Sequence, residues 1–93
     1  MKAIVLLKIT SGEAREAANR LKQLKPALAA CMLFGRYDAF AIIQGESLEE
    51  IRQVILTDIQ SISGVIETLP CLIVEETSPK NQERLQEFLK STH

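Results

Sequence analysis

Two short stretches hold the polar groups best placed to do chemistry, Gly35-Arg36-Tyr37-Asp38 and Ser63-Gly64-Val65. They stand out by elimination. The single histidine is His93, at the very end of the sequence, a poor place for a positioned acid–base group. Cys31 and Cys71 with that histidine do not make a zinc site, so no metal and no cofactor are expected. Gly12 and Gly64 stand alone while Gly35 and Gly45 bracket a strand, so no glycine-rich phosphate loop is present. Glu49, Glu50, Glu75 and Glu76 are read as solvent-facing. From spacing alone the first stretch is a hairpin turn in which Gly35 takes a positive φ and Asp38 bonds nearby backbone. The second, on the same reading, is a helix stop.

The elements that must position these turns are legible from apolar spacing. Ala3 to Ile9 reads as a first strand. Thr10-Ser11-Gly12 then breaks the chain and offers caps for a helix over 13–25. Ala14, Ala17, Ala18, Leu21 and Leu24 fall on one side of that helix, and Pro26 ends it. Strands are expected over 28–34 and 37–44. Ser47-Leu48-Glu49-Glu50 is a capping box, with Ser47 and Glu50 set to satisfy each other's backbone N–H groups. The helix it opens runs to about Ser61 with an apolar stripe of Leu48, Ile51, Ile55, Ile59 and Ile62, and Ser63-Gly64 closes it with a left-handed cap. A fourth strand covers 66–75. Ser78-Pro79 then starts a tail helix with a thin stripe of Leu85, Phe88 and Leu89. Residues 1–76 form the domain and 77–93 its helical tail.

The order strand, helix, strand, strand, helix, strand predicts an α+β fold: a ferredoxin-like, four-stranded antiparallel sheet with the first and third strands central. Pro70 fits an edge position for the fourth strand, because proline cannot donate to a ladder. Two helices cover one face only, yet AIVLL, AFAII and CLIV are apolar at successive positions, which point to opposite faces. The second face therefore needs a cover. The expected cover is a second copy packed sheet to sheet. The competing reading folds the tail helix back as an internal lid, against which its three apolar residues look too few. In this strand order Cys31 and Cys71 lie on opposite edges, about 14 Å apart. They cannot form an intrachain disulfide, and each is read as a small buried hydrophobe.

The balance of 11 basic and 12 acidic residues gives a net charge of −1, which is poor material for gripping phosphates. Arg20, Lys22 and Lys25 read as the solvated face of a helix. With three phenylalanines, one tyrosine and no tryptophan there is also little on which to stack bases, so no direct nucleic-acid partner is expected. Met1-Lys2-AIVLL opens like a signal peptide, but Lys8 interrupts it and no small-residue cleavage site follows. Leu28-Ala29-Ala30-Cys31 matches a lipidation box, but the preceding RLKQLKPA is charged and carries a proline. No apolar run approaches the length of a membrane span. With few, distant cysteines, the expected setting is a reducing cytoplasm.

The stretch GRYDAFAIIQGESLEEIRQVILTDIQSISGVIET resembles the effector-binding (RAM) domain of the leucine-responsive/AsnC (Lrp/AsnC) regulator family. The family pattern is G-x-Y-D, an apolar strand, a helix with isoleucine and leucine, and a GV..T motif leading into the last strand. Here these are Gly35, Tyr37 and Asp38, then Gly64, Val65 and Thr68, and the resemblance spans nearly all of residues 1–75. Family members carry a DNA-binding helix-turn-helix ahead of this domain. With the first strand beginning at Ala3, a stand-alone version is expected.

The resemblance implies sheet-to-sheet dimers (a dimeric α+β barrel), often assembled into rings of four, with an amino-acid site between dimers. Asp38 would pair with the ammonium. In the Ser63-Gly64-Val65 loop, backbone N–H groups near Gly64 and Val65 would hold the carboxylate, Thr68 would add a hydroxyl, and Arg36 would take the carboxylate or stabilise the subunit contact. The family commonly has a second threonine where this chain has Pro70. The leading expectation is a non-catalytic, amino-acid-sensing homo-oligomer that modulates full-length regulators of the family. The alternatives are a structural oligomerisation domain that has lost its ligand, which Pro70 favours, and a small enzyme, since similar dimeric sheets host oxygenases and isomerases.

Overall fold

β1 (Lys2–Ile9) lies between β3 (Ala39–Gln44) and β4 (Val65–Ile73), and β2 (Ala27–Met32) flanks β3. All pairings are antiparallel, in the order β2-β3-β1-β4. This computed structural model describes residues 1–74 and 79–91. The α+β, ferredoxin-like architecture is the expected one, with Pro70 on an edge strand opposite Val5. Strand and helix ends differ from expectation by one to three residues at most boundaries.

The strict alternation of β1 divides the two faces. Ala3, Val5, Leu7 and Ile9 are buried against α1 (Ala14–Gln23) and the second helix. Ala17, Ala18 and Leu21 seat α1 on the sheet, and small side chains let its backbone approach closely. The second helix begins as α2 (Leu48–Gln53), capped by Ser47, whose hydroxyl accepts from the Glu50 N–H at 3.2 Å. The return bond goes one residue earlier than expected, since the Glu50 carboxylate accepts from the Glu46 N–H at 3.1 Å. Val54–Ile59 continues as a π-helical segment, with Gln60 N–H donating five residues back to the Ile55 carbonyl. Ile51, Ile55, Ile59 and Ile62 are buried along this helix, but Leu48 is exposed.

The other face has its own apolar cluster of Ala29, Phe40 and Ile42, flanked by Ile4, Leu6, Leu28 and Cys31. All five of Ala39–Ile43 are buried, which answers to their uninterrupted apolar run. Here one expectation is corrected. The tail helix, α3 (Pro79–Ser91), does reach this face: the Phe88 ring meets Phe40 with centroids 5.5 Å apart. Of the three stripe residues, the side chains of Leu85 and Leu89 lie outside the described residues, as do Glu75, Glu76 and the Ser78 cap. The cover is partial. By register, Leu69 and Cys71 of β4 lie beside Leu6 and Ile4 on the same face, and both are exposed.

Cys71 is therefore not the buried hydrophobe expected. It lies on an edge strand, with no strand paired on its outer side among the described residues. Both cysteines are free thiols. Burial pushes the Cys31 thiol up from its ordinary value, opposed by the positive field of Lys22. Among the described residues, no helix is long and apolar enough to cross a membrane.

Candidate functional site at the end of the central strand

The two polar stretches meet at the C-terminal end of β1, one on each side of it. On the β3 side, Asp38 N–H donates to the Leu7 carbonyl at 2.8 Å, and the Asp38 carbonyl accepts from Leu33 N–H at 2.9 Å. The Asp38 carboxylate then turns back, and its Oδ2 accepts from Ile9 N–H at 2.7 Å. The β1–β3 register ends at the Leu7–Ala39 pair, so the Ile9 N–H, on the same side of β1 as Leu7, lies past the ladder and takes the carboxylate instead. On the β4 side, Thr10 N–H donates to the Gly64 carbonyl at 2.7 Å.

Each remaining residue has a definite place. Gly35 and Arg36 are exposed in the 34–38 bend, and Tyr37 is half-buried. The bend is tied down by Lys8, whose ammonium donates to the Arg36 carbonyl at 2.9 Å. Gly35 does not take a positive φ; among the described residues only Gly12 and Gly64 do. The chain turns over five residues here, gradually enough to need no left-handed step. Ser63 donates its hydroxyl to the Glu13 carboxylate at 3.3 Å, fixing the second stretch to the start of α1. Val65 N–H is already given to the Ile62 carbonyl at 3.2 Å. Between Gly64 and Val65, the Gly64 N–H is therefore the better placed for an anion.

Thr68 sits deeper. It pairs with Leu7 across β1 and faces the helices, where its hydroxyl accepts from Gln60 at 3.2 Å. Together with Pro70, Leu72, Leu48, Leu56 and Arg52 it lines a largely apolar cleft of about 500 Å³ between α2 and β4. Thr68 thus belongs to a neighbouring concavity rather than to the turn itself. Sequence reasoning missed Lys8, Glu13 and Gln60, which hold the site in place. Lys8 carried a signal, being the only charge inside the apolar run of β1 after its first residue. Met32, Leu33 and the fully exposed Phe34 were also missed: three consecutive solvent-facing apolar side chains entering the bend.

The end of the sheet therefore carries both signs, Lys8 and Arg36 against Asp38 and Glu13. A family model of the Lrp/AsnC ligand binding domain matches residues 2–83. The chain belongs to this Lrp/AsnC family. No curated protein is similar enough in sequence to match it. Among solved structures, this Lrp/AsnC domain is similar to TTHA0845 from Thermus thermophilus, at 22% identity and a TM-score of 0.78 over 83% of this chain and 96% of that one. It is similar to E. coli AsnC at 18% identity and a TM-score of 0.76, covering 83% of this chain and 52% of that one. It is similar also to the transcriptional regulator NMB0573 of Neisseria meningitidis, solved as a complex with L-Met, at 19% identity and a TM-score of 0.72, covering 83% and 51%. At these identities the likeness shows the fold. The Lrp/AsnC domain spans about half the length of those two regulators.

The double duty of Asp38 shapes how it is tested. Asp38→Ala strands the half-buried Ile9 N–H and is expected to destabilise the fold by about 1–3 kcal/mol. Asp38→Asn keeps an acceptor for that N–H and removes only the charge. Urea melts of the two variants should separate them clearly, and equal losses would mean that the Ile9 bond contributes nothing.

Proposed function

We propose that this chain is a non-catalytic, oligomeric sensing domain whose effector is an amino acid, bound where copies meet at the end of β1, and that it modulates transcriptional regulators of its own family in the cytoplasm. The observation that carries this reading is the convergence of Asp38 and Gly64 on opposite sides of β1. A zwitterion needs an anion for its ammonium and a donor or cation for its carboxylate. Asp38 spends one oxygen on Ile9 and keeps acceptor capacity on the other. The Gly64 N–H and the exposed Arg36 supply the opposite sign. The apolar run Met32-Leu33-Phe34 beside the bend fits a contact between copies, in keeping with the dimers and rings of dimers that the family resemblance implies. The L-Met complex of NMB0573 supports an amino acid as the ligand class.

A second reading is favoured by Pro70 and the cleft it lines. Where a threonine would add a hydroxyl and an N–H, this wall is apolar, as a domain that only assembles would allow.

Thermal-shift measurements against the twenty amino acids, on protein of measured mass, separate the two. An effector at a hundred times its Kd adds about 2.7 kcal/mol of stability, and Asp38→Asn should remove that response. A full oligomer that answers to no amino acid would replace sensing with the structural reading.

A further inference from the structure

The open face of the sheet is too wide for α3 and too apolar for water. A helix with its side chains is about 10–12 Å across, whereas four strands span roughly 15–19 Å. Burial follows that arithmetic. Phe40 is 7% exposed and Ile42 0%, on the side where Phe88 docks, whereas Leu69 is 41% exposed on the β4 side. Phe88, the α3 side chain that meets Phe40, is itself 43% exposed.

Two packed sheets sit about 10 Å apart. That gap is the thickness of one helix. A second sheet and α3 therefore cannot occupy the same part of the face together. We propose that α3 and a second copy of this chain compete for the open face, so that docking of Phe88 on Phe40 opposes sheet-to-sheet pairing and release of α3 permits it.

The second copy is the occupant that fits what α3 leaves uncovered. The middle of the face is uncharged, formed by Ile4, Leu6, Phe40, Ile42, Leu69 and Cys71. Lys8 and Glu67, directly paired across β1 and β4, put both signs at one rim. A self-complementary patch of this kind suits a two-fold contact. The competition gives the sensing domain a control on its own assembly, and it rests on the dimeric reading proposed above.

The test uses the full chain. Phe88→Asp changes a half-exposed position and should leave the sheet intact by circular dichroism. Sedimentation equilibrium should show this variant dimerising at least tenfold more tightly than the unmodified chain. In the unmodified chain, the amides of α3 should lose hydrogen-exchange protection as the concentration is raised through the dimer Kd. An unchanged or weaker dimer in the variant, with α3 protection constant or rising with concentration, would overturn the competition while leaving the dimer standing. If neither protein dimerises at any concentration, the dimeric reading falls and the competition with it.

Discussion

Phe40→Ala is expected to destabilise the chain by about 3–5 kcal/mol, the usual range for deleting a buried phenylalanine. A small domain has only about 5–15 kcal/mol in all, so this single change removes a large fraction of its stability. Phe40 joins the open-face cluster to α3 through Phe88. It packs with Ala29 and Ile42 beneath and meets Phe88 above. Its loss opens a cavity over Ile42 and removes the docking point of the helix together. Phe88→Ala should be milder, because Phe88 is 43% exposed and its loss removes less buried surface than that of Phe40. Urea melts followed by circular dichroism give both numbers. Equal effects from the two substitutions would mean that Phe40 owes its burial to α3 alone.

Gly64→Ala is expected to be the most damaging glycine substitution in the chain. Gly64 has φ +92°, and a Cβ there would stand 3.0 Å from the Glu13 Cβ. A left-handed backbone alone costs a non-glycine residue about 1–2 kcal/mol. The close approach to α1 adds an overpacking term of roughly 1–3 kcal/mol. Gly12 provides the control, since its φ is +89° but a Cβ there meets nothing within 4 Å. Gly12→Ala should therefore show the backbone term and Gly64→Ala the sum. The second substitution also displaces the Ser63–Glu13 bond that fixes the candidate site, so ligand binding should weaken with it.

These residues also show where a sequence speaks and where it is silent. The unbroken apolar runs of β1 and β3 showed that both faces of the sheet need cover, because successive side chains point to opposite faces, and the order of elements placed both strands centrally. Ser47 and Gly64 were legible as helix ends because each meets a local need, an acceptor at the start and a left-handed step at the end. Gly35 misled, since a wide bend between strands can be built without positive φ. The π-helical segment over Val54–Ile59 left no mark, because isoleucines at this spacing suit an α-helix equally well. The site was legible as two motifs, but Lys8, Glu13 and Gln60 emerge only when the chain is folded. They bond to residues 28, 50 and 8 positions away in sequence. For α3, an apolar stripe states that a helix has a dry side without naming the surface it meets.

The proposed sensing between copies and the proposed control by α3 both depend on an apolar sheet face that α3 covers only in part, with Leu69 and Cys71 exposed. Cys71 is a native reporter of that uncovered part, being an exposed thiol beside Ile4. Cys31 is the slower thiol, because its raised pKa leaves less thiolate at neutral pH. The most direct measurement is the rate of Cys71 labelling by a thiol reagent, followed with the molecular mass across a range of protein concentrations. Labelling should be fast while the mass is 10.4 kDa and should slow in step as the mass doubles. A mass that doubles while Cys71 stays equally reactive would place the contact elsewhere, and a mass that never rises would rule out the second copy.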